Sequence, residues 1–510
     1  MSRLTYNPSY VCLYLNKETD LFYRNNTFFL KYKNLYIETF QSKLSKLFPK
    51  IEFISNSNSL GFQEIQADSE VDFLFKIKEI LPNSQSGNED WDEVCILYFH
   101  GLAPLLDLHL TKKIWQRHTK FLSQYSYSEN LPDGIIPRIL TREFIETLPK
   151  SLSQTVHEFF LKNINNYDVE IFFEHPDLRQ YRLNLTPNNA RSHHLIKHIL
   201  DKSPDFPYSN LINFIKENSN LYRSSPSWIE LELIRGCELK CTFCPRQYSD
   251  NALDGSQFTI NEVLDLKNKL SSLDSNYTIC IGGMGEPLLH TDFEQIVKEI
   301  VSLQNLSELI IETSLSLHWD RLSNCIKSLN ELEKKKLTII INLTTLKEER
   351  YKAIYGQKLL KEVLTNVDSL TKILPIENVH VQILKILEVE DEVDSYYTFF
   401  EKKNINIIFQ KYNSYAGSLE EKRVSDLTPL KREFCWHLAR DLYIHANGDV
   451  AVCKQVVNDP KIRSLGNIKT QTFEDIWNKS QSIFQESILG NHHKTGLPCL
   501  QCDEWYTFNS

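Results

Sequence analysis

The stretch Arg235-Gly-Cys237-Glu-Leu-Lys-Cys241-Thr-Phe-Cys244-Pro-Arg246 decides how the rest of this 510-residue chain is read. It sets three cysteines in a C-x3-C-x2-C spacing, directly after an apolar, strand-like run at 229–233. Three thiolates on one tight loop can hold three irons of a [4Fe–4S] cluster and leave the fourth iron open. Soft thiolate ligands favour such clusters, and also zinc. A structural zinc site normally takes four protein ligands, and the nearest further Cys or His residues are Cys280 and His290.

Downstream of this loop, strand-like and helix-like runs alternate. Helical periodicity at 260–270, 293–304, 321–329 and 347–353 separates strand-like runs at 277–281, 309–312, 338–343 and 379–386, and a further strand is expected at 405–410. Such alternation predicts a parallel sheet or a full or partial barrel, with its functional loops at the carboxyl ends of the strands. Residues 416–510 break the pattern and carry Cys435, Cys453, Cys499 and Cys502. These four thiols are enough for one fully ligated [4Fe–4S] cluster, and equally for a four-cysteine zinc site. His492 and His493 lie close to Cys499 and read as solvent-exposed polar residues, since four cysteines already close a site. The remaining cysteines, Cys12, Cys95, Cys280 and Cys325, sit in apolar runs and read as small buried hydrophobes.

Upstream, residues 1–205 also alternate, with strands expected at 10–15, 51–54 and 94–98 and a helix at 37–47. Residues 206–226, rich in Pro, Ser and Asn, read as a connector. The balance of 57 Lys+Arg against 66 Asp+Glu gives a net charge of −9, which argues against a nucleic-acid backbone as the main partner. No apolar run approaches the ~18 residues of a membrane helix. The start lacks the pattern of a signal peptide, so a cytoplasmic address is expected, where clustered cysteines bind metal or do chemistry.

The motif resembles that of the radical S-adenosylmethionine (SAM) superfamily, and three further segments agree in order and spacing. Gly282-Gly283-Met-Gly285-Glu286-Pro287, at the end of a strand, is similar to the family's "GGE" motif. The resemblance implies that Gly283, Gly285 and Glu286 present backbone and a carboxylate to the methionine ammonium of SAM. Thr313-Ser314-Leu-Ser316 stands where the family often has Thr-Asn-Gly, which makes Ser314 a candidate ribose contact. Asn342 stands where a polar residue often meets the methionine carboxylate, and Phe243 is placed to reach the adenine through its backbone. The implied cofactors are a SAM-binding [4Fe–4S] cluster on Cys237, Cys241 and Cys244, and SAM itself. One electron from a low-potential donor such as flavodoxin or ferredoxin would cleave SAM, and the resulting radical would abstract a hydrogen from substrate.

The second cysteine group, with Gly448, Gly466-Asn467-Ile468 and Phe473-Glu-Asp-Ile-Trp477 between its members, resembles the SPASM auxiliary-cluster domain, which implies an auxiliary [4Fe–4S] cluster. The N-terminal third resembles cytidylyltransferases of polysaccharide biosynthesis in Tyr98-Phe-His-Gly101-Leu-Ala-Pro104, Asp133-Gly134 and Tyr181-Arg182-Leu183-Asn-Leu-Thr186-Pro187. It has no glycine before Gly61 to build a phosphate loop, and the family's metal-binding Asp is missing. The whole resembles the spiro-SPASM architecture.

The expected fold is therefore α/β. A degenerate nucleotidyltransferase-like α/β domain (1–205) and a linker (206–226) precede a partial (β/α)6 radical SAM barrel (227–415), and a small cysteine-rich SPASM domain (416–510) follows. The expected function is hydrogen abstraction from a peptide or protein side chain. Radical oxidation or epimerisation of a sugar or nucleotide-sugar stands as an alternative, and a non-enzymatic zinc-binding protein as a third reading. No particular side chain is marked by the sequence as a catalytic acid or base.

Overall fold

The computed structural model describes residues 7–82, 94–248, 255–426, 428–429, 432–456 and 464–504. The chain divides into two compact units, Met1–Tyr222 and Arg223–Ser510.

The first unit is built on a sheet of β1 (Tyr10–Leu13), β2 (Glu52–Ser55), β3 (Gln63–Glu64), β4 (Cys95–Phe99), β5 (Tyr125–Ser128), β6 (Arg138–Thr141) and β7 (Val169–Phe172). The strand order is β3-β2-β1-β4-β6-β5-β7. β6 runs antiparallel to both neighbours and the other pairings are parallel. Cys12 packs in the core among Ile54, Phe73, Ile96 and Tyr98, so it is the small hydrophobe its apolar run suggested. The helix expected at 37–47 begins a decade earlier, at Thr27, because the Asn26 side chain accepts from the Phe29 amide and caps it there.

Of residues 206–226, expected as a connector, the stretch from 208 to 222 is instead helical in large part. A short turn at Tyr208–Asn210 leads into helices Leu211–Glu217 and Ser219–Tyr222, and Leu211, Phe214 and Ile215 are buried. Apolar residues at i, i+3 and i+4 form a helical stripe, which the density of Pro, Ser and Asn around them obscures. Tyr208 further fastens this segment to the first unit, with its amide on the Asp107 carboxylate at 3.1 Å and its hydroxyl on the Pro176 carbonyl at 2.6 Å.

In the second unit, β8 (Trp228–Leu231), β9 (Tyr277–Ile281), β10 (Leu306–Thr313), β11 (Leu337–Asn342), β12 (Val379–Lys385) and β13 (Asn406–Lys411) lie side by side in chain order. All five pairings are parallel, so each connection must be a crossover. The helices supply it: Ile260–Ser271 starts on a Thr259/Glu262 capping box, and Phe293–Val301 buries Phe293, Ile296, Val297 and Ile300 along one face. The odd-numbered strand residues Ile229, Ile279, Ile281, Ile311, Ile339, Ile341, Val381 and Ile383 are buried. The even-numbered Glu230, Cys280, Glu312, Asn342, His380 and Gln382 line a lumen on the opposite face.

These six strands are the expected partial barrel. One feature of it comes from the C-terminal segment. β14 (Asp441–Ile444) pairs parallel with β8, and β15 (Asp449–Ala451) and β16 (Gly466–Asn467) extend the sheet antiparallel. The cysteine-rich segment thus contributes a seventh parallel strand to the barrel sheet rather than forming a separate layer. Arg223 helps fix it: the guanidinium donates to the carbonyls of Leu438 at 2.7 Å and Trp477 at 3.0 Å and lies 3.4 Å over the Trp477 ring. No helix among the described residues is long and apolar enough to cross a membrane.

Candidate functional site

The cysteine loop leaves the end of β8 and is pinned from several sides. The amide of Lys240 donates to the Tyr355 carbonyl at 3.0 Å and that of Thr242 to the Ile354 carbonyl at 2.9 Å. Gln357 holds the Glu238 carbonyl at 2.8 Å, and the buried Arg246 guanidinium reaches back to the carbonyls of Cys237 and Leu239. With its backbone held this way, the loop turns Cys237, Cys241 and Cys244 toward one cavity of about 940 Å³ at the carboxyl ends of the strands. Burial pushes the Cys237 thiol up to about 12, with the Glu286 carboxylate adding to it. Burial, and then the proximity of the other two cysteines, also pushes Cys241 up. Such thiols ionise when a cation takes the proton's place, which couples metal loading to the site. Three soft donors facing a common space fit a cluster held by three cysteines. Among the described residues, no group of three or more Cys, His, Asp or Glu is arranged to hold a single metal ion; a cluster instead spreads its three thiolates over separate irons.

The turn after β9 lies directly on this loop. The Glu286 amide donates to the Gly236 carbonyl at 2.8 Å. A Cβ on Gly285 would fall 1.7 Å from the Ile234 carbonyl oxygen, and one on Gly283, whose φ is +93°, would meet the Tyr443 hydroxyl at 2.8 Å. Glycine at these two positions is what lets the two backbones touch.

Glu286 is buried and its carboxylate is already in use. It accepts from the Thr313 hydroxyl at 2.7 Å, the Ser314 amide at 2.9 Å, the Ser314 hydroxyl at 2.7 Å and the Leu288 amide at 3.2 Å. Four donors fill the four acceptor positions of a carboxylate. Burial nevertheless outweighs them and raises its pKa. The sequence suggested a side chain facing an ammonium; in the structure it ties the β9 turn to the end of β10. Ser314, the expected ribose contact, is likewise engaged, sharing its hydroxyl with Glu286 and, at 2.8 Å, with Ser316. Asn342 accepts from the Gln382 side chain at 2.7 Å, and Phe243 stands edge-on to Tyr355. Even so, all nine residues expected around the cofactors line the one cavity. Glu286→Gln is therefore expected to act through position. It should lower stability by about 1–3 kcal/mol, the cost of a mismatched buried hydrogen-bond network, and weaken SAM binding secondarily. Melting curves and SAM titration of the same sample check this; weakened SAM binding at unchanged stability would restore the direct contact.

The second cysteine group also converges. Cys435 sits at the start of helix Trp436–Arg440, Cys453 follows β15, and Cys499 and Cys502 share a turn in which the Cys502 amide donates to the Cys499 carbonyl at 3.4 Å. Burial raises the Cys435 thiol first, then the proximity of Cys453, Cys502 and Cys499 adds to it. The amides of Gln455 and Glu504 point at the sulfurs of Cys453 and Cys502, both at 3.4 Å, the kind of hydrogen bond that tunes a cluster thiolate. His493 is exposed as expected. His492 is not: it is buried, with Nε2 3.3 Å from the Arg432 carbonyl. Its ring is turned inward toward the Arg432 backbone, a placement invisible in a polar run. By ligand counting, anaerobically prepared protein is expected to carry about eight irons per chain, and a variant with all four of these cysteines changed to Ala about four. Iron and zinc analysis checks it, and stoichiometric zinc beside about four irons would overturn the auxiliary cluster.

Sequence reading missed further polar residues that line the same cavity, including Glu230, Glu312, Lys454 and Tyr415. For Glu230 and Glu312 the available signal was an even-numbered polar position in an otherwise apolar parallel strand; Lys454 and Tyr415 lie outside the strands and carried no such signal.

Residues 231–400 match the family model of the radical SAM superfamily, and residues 435–503 match that of SPASM, an iron-sulfur cluster-binding domain. An uncharacterized protein of Treponema pallidum is 26% identical over 366 residues, 69% of this chain and 98% of that protein. The GTP 3′,8-cyclase of Limosilactobacillus fermentum is 23% identical over 209 residues, 41% of this chain and 60% of the cyclase. The structure of Streptococcus suis SuiB bound to its precursor peptide SuiA is similar with a TM-score of 0.42 and 16% identity, covering 58% of this chain and 75% of that one.

Proposed function

From a chain that carries a radical SAM domain followed by a SPASM domain, and is thereby an enzyme with a [4Fe–4S] cluster, SAM and auxiliary iron–sulfur as its cofactors, we infer hydrogen abstraction from a peptide or protein side chain. The observation that carries the reading is the convergence of the three loop thiols, the Gly282–Glu286 turn, Ser314 and Asn342 on one cavity that runs on into the polar lumen. The bound cluster and SAM supply the one-electron chemistry that removes a hydrogen atom. The chain supplies position. Cys237, Cys241 and Cys244 would hold the cluster, and the glycine turn brings backbone against the cysteine loop. Glu286 fixes the ends of β9 and β10 relative to each other, and the lumen receives the substrate. The electron comes from a low-potential donor of the flavodoxin or ferredoxin kind. A reducing, cytoplasmic setting would keep clustered thiols of this kind available to hold a cluster.

The test is substrate-dependent 5′-deoxyadenosine formation by the reduced, reconstituted enzyme, with peptides encoded beside its gene set against a panel of nucleotide-sugars. Acceleration by a peptide is expected. Acceleration by nucleotide-sugars alone would move the reading to carbohydrate chemistry.

For the first unit we propose binding without nucleotidyl transfer. Two backbone amides of the loop after β1 are already engaged, that of Leu15 by Asn56 at 2.7 Å and that of Thr19 by Asn16 at 2.8 Å, and the loop has no glycine to bring its backbone close to a triphosphate. Pyrophosphate release from CTP, UTP, ATP or GTP with Mg²⁺ and sugars is expected at background. Turnover that vanishes when residues 1–205 are deleted would overturn this.

A further inference from the structure

Resting on the radical SAM reading of the cavity, we propose that the substrate carries a cationic group, a primary amine or guanidinium, and that Glu312 receives it. Glu312 is the penultimate residue of β10. The next residue, Thr313, donates to Glu286, and the one after, Ser314, lines the expected cofactor site. A group held by Glu312 is thus held beside the place where hydrogen is removed. In register Glu312 stands opposite Ile340 of β11, and its side chain faces the cavity. On the other side Gly282 leaves room for it: a Cβ there would come within 3.3 Å of the Glu312 Cβ and 3.5 Å of its carboxylate. The carboxylate therefore lies over the end of β9, facing the open lumen.

The charges around it are otherwise matched. Lys454, the lysine whose field reaches Glu312, is committed to Glu230 at 2.6 Å. Lys411 pairs with Glu504 at 3.6 Å, Arg440 with Asp441 at 2.7 Å, and Arg246 faces the backbone of the cysteine loop. Glu312 has the Cys280 thiol as a hydrogen-bond donor but, among the described residues, no ion pair. A carboxylate in a part-buried wall with no counter-ion is costly unless something else supplies the charge. Burial raises its pKa accordingly, with Lys454 only partly offsetting it. A substrate cation in the lumen would supply what the chain does not. A carboxylate or phosphate on the substrate would add to the unbalanced charge.

The experiment uses the full chain, anaerobically reconstituted, with SAM present, and three probes of one shape: Nα-acetyl-lysine amide, Nα-acetyl-norleucine amide and Nα-acetyl-glutamate amide. Binding is followed by ligand-observed NMR. The wild type is expected to prefer the lysine probe over the norleucine probe by roughly tenfold, the worth of one charge-assisted hydrogen bond. In E312Q that preference should fall to within about twofold. The ratio is internally referenced, so an overall loss of protein does not imitate it. Equal binding of the lysine and norleucine probes by the wild type, failure of the lysine probe to bind, or the full preference persisting in E312Q would each overturn the proposal. SAM binding by the wild type is measured in the same samples. SAM bound without a cation preference defeats this inference alone, whereas failure to bind SAM defeats the reading beneath it.

Discussion

Replacing Cys241 by Ala is expected to reduce 5′-deoxyadenosine formation to background and to lower the iron content from about eight to about four per chain. The loop itself should survive. Its neighbours Lys240 and Thr242 are held by backbone hydrogen bonds to Tyr355 and Ile354 at 3.0 and 2.9 Å, and neither bond involves the thiol. The lost atom is a donor that the site cannot replace, since the loop holds no fourth cysteine beyond Cys237, Cys241 and Cys244. A folded protein with its auxiliary irons, its melting temperature and no SAM cleavage is the signature. Product formation at the wild-type rate after equal reconstitution would contradict the assignment of Cys241 as a cluster ligand.

Gly285→Ala should have the largest effect on folding. The added Cβ would sit 1.7 Å from the Ile234 oxygen and 2.9 Å from its carbon, with the Gly236 oxygen at 3.2 Å. All three are backbone atoms, so no side-chain rotation relieves the clash. The turn must part from the cysteine loop, breaking the hydrogen bond from Glu286 to Gly236 and loosening what Glu286 holds on β10. Overpacking of this severity costs about 3 kcal/mol or more, a fall in melting temperature of roughly 6–12 °C for a unit of this size. Gly236→Ala is the control: a Cβ there meets nothing within 4 Å, and its change should stay within about 1 kcal/mol. Equal melting temperatures for the two variants would show that the turn does not rest on the loop.

Much of the second unit was legible before any coordinates. Its strands are long and apolar, its helices carry regular stripes, and a cysteine spacing is a local pattern. What escaped depends on pairing between residues far apart in the chain. Nothing in Asp441–Ile444 announces that it will lie beside β8. The carboxylate of Glu286 reads as a ligand in its motif, and only the fold shows four donors from residues 288, 313 and 314 closing around it. In the first unit, β5 reads Tyr-Ser-Tyr-Ser, an alternation too short and polar to separate from a loop, and β3 has two residues. The helices at 211–222 were hidden by the composition around them, although their buried stripe was present in the sequence. Glu312 was visible only as a charged residue ending a strand. Its significance comes from Gly282 beside it and from Lys454, more than a hundred residues away, being already paired.

The most direct test of the central claim is the electron paramagnetic resonance spectrum of the dithionite-reduced, reconstituted wild type, recorded with and without SAM. Binding of SAM to the open iron of the cluster on Cys237, Cys241 and Cys244 predicts that SAM shifts and reshapes part of the reduced-cluster signal, and that this SAM-sensitive part is missing from Cys241→Ala. A spectrum that SAM leaves unchanged, in protein shown to contain about eight irons, would contradict it.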